Sequence, residues 1–377
     1  MSSPAILEVQ RTLTSAEVAC LEDVGRLSHV HHLSMYPAWA PSDNSIHEPR
    51  IYVLPGAEVG GRGLIRRGQA VLAPPEFWPT GFTDRLFTPA PAGGAEDPAE
   101  LAVWQTSCVG ALFDDDAHVI SLDVPVATAV NPSFVYGHVL LEMLPRLHLL
   151  GLARALGLTF PLALPSTAPD WFHGLLRLYV PPTDVVSFDP AAERVTGPSV
   201  VAPSMMHFNY VFHPAFMAMA ADVKARAGVD VTAPPSGRRL YLSRCRFRET
   251  SWSWHGVENE HEIEALLRDE HGFEVLYPEE MSLAEQLSAY HGAAMLVGES
   301  GSQMHNSLFA PRGAAVVVMN ENNEIQRMIC EFMGQPFVVV PPEDGILRRY
   351  DTHPYEGYFR VDAEAVVRAV VGLGAGD

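Results

Sequence analysis

Residues 238–320 read RRLYLSRCRFRETSWSWHGVENEHEIEALLRDEHGFEVLYPEEMSLAEQLSAYHGAAMLVGESGSQMHNSLFAPRGAAVVVMN, and the fold is decided here. Four apolar runs punctuate the stretch: Leu240–Ser243, Phe273–Tyr277, Ala294–Val297 and Ala314–Met319. Helical patterns separate them, which is the alternation of a parallel sheet with crossover helices. Asn259 with Glu262, and Ser282 with Glu285, have the spacing of capping boxes and mark two helix starts. The third run ends in Gly298-Glu299-Ser300-Gly301-Ser302, which is expected to open a helix. A glycine-containing turn at that junction lets backbone N–H groups approach an anion, and the helix dipole favours negative charge there. This half therefore reads as a nucleotide-binding domain.

Working outward, Glu324–Met333 is helical, Phe337–Val340 is a fifth strand and Asp362–Val371 is a closing helix. In the other direction lie a helix over Pro214–Ala227 and the low-complexity segment VTAPPSG, so the junction between the halves is placed within 205–237. The expected partition is 1–210, 211–350 and a tail helix over 351–377. The N-terminal half is also α/β. It has β-like runs at Ile51–Leu54, Gly63–Ile65 and Ala70–Leu72, and again in PLALP, DVVSF and PSVVAPSMM between 160 and 205. The whole reads as two Rossmann-like domains facing across a cleft.

Composition narrows the function classes. The 377 residues carry a net charge of −20, which opposes non-specific binding to nucleic acid or anionic lipid. Cysteines 20, 108, 245 and 330 form no CxxC pair, so a reduced, cytoplasmic chain is expected. The first residues, MSSPAILEVQRTLTSAEV, lack the pattern of a signal peptide, and no run is long enough to span a bilayer. His29, His31 and His32 have no further ligand at metal spacing and read as surface or packed histidines. Asp114-Asp115-Asp116 reads as a polar hairpin turn, and Thr88–Glu100 as an exposed loop.

A second informative stretch, NPSFVYGHVLLEMLPRLHLLGLARALGL, covers residues 131–158. With Phe134–Leu144 helical, His138 and Glu142 share a face while Val139, Leu140, Met143 and Leu144 turn into packing. Pro145 should kink or stop the helix near Leu144, which leaves the direction of Arg146 open. A histidine backed by a carboxylate one turn away is a candidate general base, although many such pairs are structural.

FVYGHVLLEMLPRLHLL, YLSRCRFR with ENEHEIEALL, and GFEVLYPEEMSLAEQLSAYHGAAMLVGESGSQMHNSLFAP occur in an order that resembles the family 61 glycosyltransferases. The resemblance covers 131–150 and 238–320. It implies a GT-B architecture and inverting transfer from a nucleotide sugar, usually a UDP sugar, with no metal or other cofactor. It places the phosphate-contacting arginine at Arg244, with Arg246 or Arg248 as a second candidate. Donor contacts are further expected from Tyr277 and Pro278 on the base, Tyr277 being equally a core candidate, from Gly298, Ser300, Gly301 and Ser302 on the phosphates, and from Gln303 on the nucleotide sugar. The family often has a histidine where Ser300 stands. His305 and Asn306 come later, inside the helix, either binding the donor or packing under the turn.

On this resemblance His138 is the base with Glu142 orienting it, Glu142 itself being the competing assignment. The implied partners are a nucleotide-sugar donor and a glycan or other hydroxyl acceptor, in bacterial surface polysaccharide synthesis. Trp252 and Trp254 in the SWSWHG segment serve either as an acceptor platform or as a subunit contact, a homodimer being one outcome. Two rival readings are a nucleotide-sugar epimerase of the same architecture and a non-catalytic nucleotide-binding member.

Overall fold

The computed structural model describes residues 49–68, 70–72, 98–250, 256–320, 323–343, 348–350 and 353–374. The N-terminal histidines, residues 88–97 and residues 251–255, with both tryptophans, lie outside them. Contacts divide the chain after Met219 into two compact units.

The first unit contains strands β1 (Ile51–Pro55), β2 (Ala57–Gly60), β3 (Leu64–Arg67), β4 (Ala70–Val71), β5 (His118–Ser121), β6 (Val126–Ala127), β7 (Leu162–Pro165), β8 (Val185–Phe188), β9 (Glu193–Thr196) and β10 (Ser199–Pro203). One five-stranded sheet runs β1-β10-β6-β7-β8 and a second runs β4-β3-β2-β9-β5. In the first sheet β6, β7, β8 and β10 are parallel and only the edge strand β1 is antiparallel. The second is largely antiparallel. This half is therefore mixed α/β rather than a plain doubly wound domain. The connections between β2, β3 and β4 are a few residues long, and a parallel crossover needs roughly a dozen or more. Gly61, with a φ of 53°, makes one of these turns, where a side chain would run into the Cys108 carbonyl.

Asp114–Asp116 forms an exposed turn, as expected, but it comes after a 3-10 helix, Gly110–Phe113, rather than a strand. Pro98–Glu100, the end of the expected loop, instead opens a helix that runs to Val109. A short hairpin, β11 (His207–Phe208) and β12 (Val211–Phe212), closes the unit.

The second unit matches the sequence pattern closely. Strands β13 (Arg238–Leu242), β14 (Gly256–Val257), β15 (Glu274–Leu276), β16 (Ala293–Glu299), β17 (Ala315–Met319) and β18 (Phe337–Val340) are joined by β19 (Arg348–Tyr350) and β20 (His353–Phe359). Five of them form the sheet β15-β13-β16-β17-β18, and every pair is parallel. All five residues of β17, AVVVM, are buried, as expected of a strand covered on both faces. The winding reverses between β13 and β16, so their carboxyl ends flank the crevice where doubly wound sheets bind ligands.

Two details differ from expectation. Residues 353–359 form a strand, in a second sheet β14-β20-β19. The closing helix Ala363–Gly374 is no appendage, because Val366 and Val370 are buried with Tyr241, Val297 and Val317 in the core of this unit. Among the described residues no helix is long and apolar enough to cross a membrane.

Candidate functional site

In the first unit, the segment after Asn131 is helical, but its middle turn is not α. Tyr136–His138 is α-helical, Val139–Met143 is a π turn and Leu144–Ala155 continues as α-helix. Pro145 does not stop the helix. The wider turn passes the Leu144 N–H to the Val139 carbonyl, and the proline, which has no N–H to place, enters the first turn of the next segment.

His138 and Glu142 meet as expected: His138 Nδ1 lies 2.5 Å from Glu142 Oε1. The other carboxylate oxygen accepts from the Asn131 side-chain amide. Asn131 is itself held by an Asx turn, its Oδ1 accepting from the Ser133 N–H at 3.0 Å. Glu142 is 1% exposed, whereas the His138 side chain retains 34%. Burial pulls the His138 pKa down, but hydrogen bonding and charge attraction from Glu142 outweigh it, and the net direction is up. With Nδ1–H donated to the carboxylate, Nε2 carries the lone pair and is the atom able to take a proton.

Arg146 is fully buried below this pair, donating from Nε to the Pro203 carbonyl at 3.0 Å. Burial brings its pKa to about 10, against the opposing pull of Glu142, so it stays cationic at neutral pH beside that carboxylate. The β11–β12 hairpin adds His207 and Tyr210, whose rings stack with centroids 5.0 Å apart. Burial, and then the neighbouring His138, push the His207 pKa down to about 3, so this second imidazole is neutral. Burial first, and then Glu142, raise the Tyr210 pKa. Asn209 and Tyr210 both have positive φ, 46° and 62°. That is the sign a type I′ hairpin turn requires, yet a bulky tyrosine rarely adopts it. Sequence reading missed Asn131, His207 and Tyr210. The Asn-Pro-Ser turn was a signal for the first; nothing local marks the other two.

In the second unit, Arg244 and Arg248 converge on Glu299, the residue after Gly298. Arg244 Nη1 is 2.7 Å from one Glu299 oxygen and Arg248 Nη1 is 2.8 Å from the other. Arg248 also pairs with Glu260. Glu260 in turn accepts from the Arg244 N–H at 2.9 Å and from the Tyr241 hydroxyl at 3.3 Å. Burial, then the neighbouring Glu299 charge, raise the Glu260 pKa, with Arg248 pulling the other way. A proton on Glu260 would leave guanidinium charge in excess beside the turn.

Arg246 is not part of this group. It pairs with Glu280 and lies 3.8 Å above the Tyr277 ring, just beyond the end of β15. The Tyr277 hydroxyl donates to Glu264 at 2.8 Å, and the Pro278 carbonyl accepts from Gln286 at 2.7 Å.

The glycine turn differs from expectation. Gly298 lies inside β16, and a side chain there would meet the Met304 sulfur at 2.7 Å, so this glycine serves close packing. Gly301, with φ 156° and ψ 173°, makes the turn itself. The next segment, Ser302–Phe309, is a 3-10 helix rather than an α-helix. Gln303 reaches back to the Leu242 carbonyl at 3.4 Å. His305 is buried with Nδ1 3.0 Å from Gln326 Oε1, and Asn306 donates to the Gln303 carbonyl at 2.9 Å. Both side chains thus have hydrogen-bond partners within this unit.

Among the described residues one group could hold a cation. Potential ligand atoms of Cys245, His261 and Glu264 lie within 4.8 Å of one another. Glu264 already accepts from Ser243 and Tyr277, and burial with the Glu260 charge pushes the Cys245 thiol up to about 12. A metal would have to break those bonds and displace that proton.

Comparison with curated proteins found no match to the chain. Residues 136–317, a little under half of the chain, match the Glycosyltransferase 61 family model, and this region, which includes both the His138–Glu142 pair and the β13–β16 edge, is similar to that glycosyltransferase family.

Proposed function

We propose that the protein is an inverting, metal-independent glycosyltransferase of GT-B type. It would move a sugar from a nucleotide donor, a UDP sugar in the first instance, to a hydroxyl of a glycan acceptor. The setting would be the cytoplasmic synthesis of a bacterial surface polysaccharide. One observation carries this reading: both oxygens of Glu142, a residue of the matched family region, are engaged, one by His138 and one by Asn131. The carboxylate is therefore an orienting group, and the free acceptor of a proton is His138 Nε2.

In this reading the acceptor hydroxyl attacks the anomeric carbon from the face opposite the diphosphate. Nε2 takes the hydroxyl proton as the new glycosidic bond forms, and Glu142 and Arg146 hold the imidazolium–carboxylate pair in place. The bond to the diphosphate breaks with its electrons. The charge is received by Arg244 and Arg248, preset by Glu299, and by the N–H groups after Gly301.

The test is a pair of variants. Arg244→Ala should weaken UDP binding in calorimetry by roughly tenfold or more, the worth of a charge-assisted hydrogen bond. His138→Ala should leave UDP affinity intact and lower transfer by about two orders of magnitude or more. Unchanged UDP affinity in the first, or surviving turnover in the second, would remove the corresponding assignment. Incubation with donor alone separates transfer from epimerisation, since an epimerase alters the sugar without any acceptor.

A further inference from the structure

Three polar side-chain atoms at the carboxyl edge of the second unit's sheet have no hydrogen-bond partner among the described residues: Ser300 Oγ, Asn320 Oδ1 and Asn320 Nδ2. The two residues are neighbours by construction of the sheet. Glu299 at the end of β16 pairs with Met319 at the end of β17, and the next residues are Ser300 and Asn320. Their backbones are committed to the ladder: the Ser300 N–H donates to the Met319 carbonyl, and the Asn320 N–H to the Val340 carbonyl, each at 2.9 Å. Only the side chains remain to be satisfied, and Ser300 is 1% and Asn320 3% exposed. Nearby buried polar groups on this edge are used, Ser243 Oγ on Glu264 and Gln326 on His305 and Ser307. Burying polar atoms without partners is costly, and native proteins retain such groups where a ligand or function requires them. Asn320 also has a φ of 84°, a left-handed conformation that asparagine tolerates better than most side chains.

The chemistry of the pair selects the ligand. An amide and a hydroxyl together offer donors and acceptors but no charge. A phosphate oxygen only accepts, and it would be opposed by Asn320 Oδ1. A group that both donates and accepts is suited, and sugar hydroxyls do both. We propose that Asn320, with Ser300, binds hydroxyls of the sugar being transferred and so sets which sugar the enzyme accepts. This rests on the reading of the β13–β16 edge as the donor site, and it assigns Ser300 to the sugar rather than to the phosphates.

The experiment uses the full chain and the UDP sugar that most raises its melting temperature among UDP-glucose, UDP-galactose, UDP-N-acetylglucosamine and UDP-xylose. Asn320→Gly suits the left-handed backbone and removes only the amide, so folding should be preserved. Ser300→Ala removes the hydroxyl alone. Calorimetry should show UDP affinity within about twofold of wild type for both variants. UDP-sugar affinity and kcat/KM should fall by roughly tenfold, the loss expected when one hydrogen-bonded partner is deleted. Equal weakening of UDP and UDP sugar would place these side chains on the nucleotide and overturn the inference. Unchanged affinity for both would overturn it as well, leaving the atoms to buried water. Failure of the donor reading itself would show in the wild-type protein, as absence of UDP binding, before any variant is compared.

Discussion

At the scale of single residues, the first unit concentrates its unusual chemistry around Glu142. Glu142→Gln removes the charge that raises the His138 pKa and weakens the hydrogen bond, while burial, which lowers it, remains. The acid limb of the kcat/KM profile should therefore move to lower pH while turnover falls by about tenfold or more. An acid limb that stays in place would show that another group sets it. The stability consequence has a defined sign. A folded pKa above the ordinary 6.5 means that the pairing supports the fold in full below pH 6.5. That support is lost as pH rises through the folded value, and the Gln variant should lack this dependence. Tyr210 offers a separate test. Its left-handed backbone costs a non-glycine residue about 1 kcal/mol, and Asn-Gly is the preferred pair for this turn. Tyr210→Gly should raise the denaturant midpoint, and a lower midpoint would mean that stacking on His207 outweighs the strain.

At the scale of elements, the two capping signals turned out to differ. Ser282 forms the full box, accepting from the Glu285 N–H while Glu285 bonds back to the Ser282 N–H. Asn259 occupies the N-cap position of Glu260–His271, but its side chain makes no cap bond. It exchanges two hydrogen bonds with the backbone of Val361, from Nδ2 to the carbonyl at 2.9 Å and from the Val361 N–H to Oδ1 at 3.1 Å. Ser282→Ala should cost about 1 kcal/mol, a normal cap loss. Asn259→Ala should cost more, about 2 kcal/mol, because it strands two buried backbone groups. Equal losses in urea unfolding would contradict this distinction. The π turn is the other instructive element: the proline that should have ended the helix is accommodated by the widened turn that carries Glu142.

At the scale of the whole molecule, the first unit holds one mainly parallel and one largely antiparallel five-stranded sheet, and the second unit an all-parallel one. The proposed function puts the donor at the carboxyl edge of the second unit's parallel sheet. Hydrogen exchange with saturating UDP should therefore slow amides at residues 243–248 and 298–303 and leave residues 136–146 unchanged. Protection confined to 136–146 would reverse the assignment of donor binding to the second unit. The described cysteines, Cys108, Cys245 and Cys330, are buried and in no disulfide, and burial raises the thiol of Cys330 to about 11, in keeping with structural rather than reactive roles.

The sequence alone determined the parallel sheet of residues 238–340, the Ser282 helix start and the one-face placement of His138 with Glu142. These depend on hydrophobic period and local spacing, which a single chain displays openly. Tertiary structure decided what depends on partners distant in the chain. It showed that Arg244 and Arg248 share the carboxylate of Glu299, that Arg246 belongs instead to Tyr277 and Glu280, and that Asn131 completes Glu142. It also showed that Asn259 serves Val361, and that Ser300 and Asn320 lie side by side with nothing in the described protein to bond. A hydrogen bond or an unmet one between residues tens of positions apart leaves no periodic trace, so only the folded arrangement exposes it.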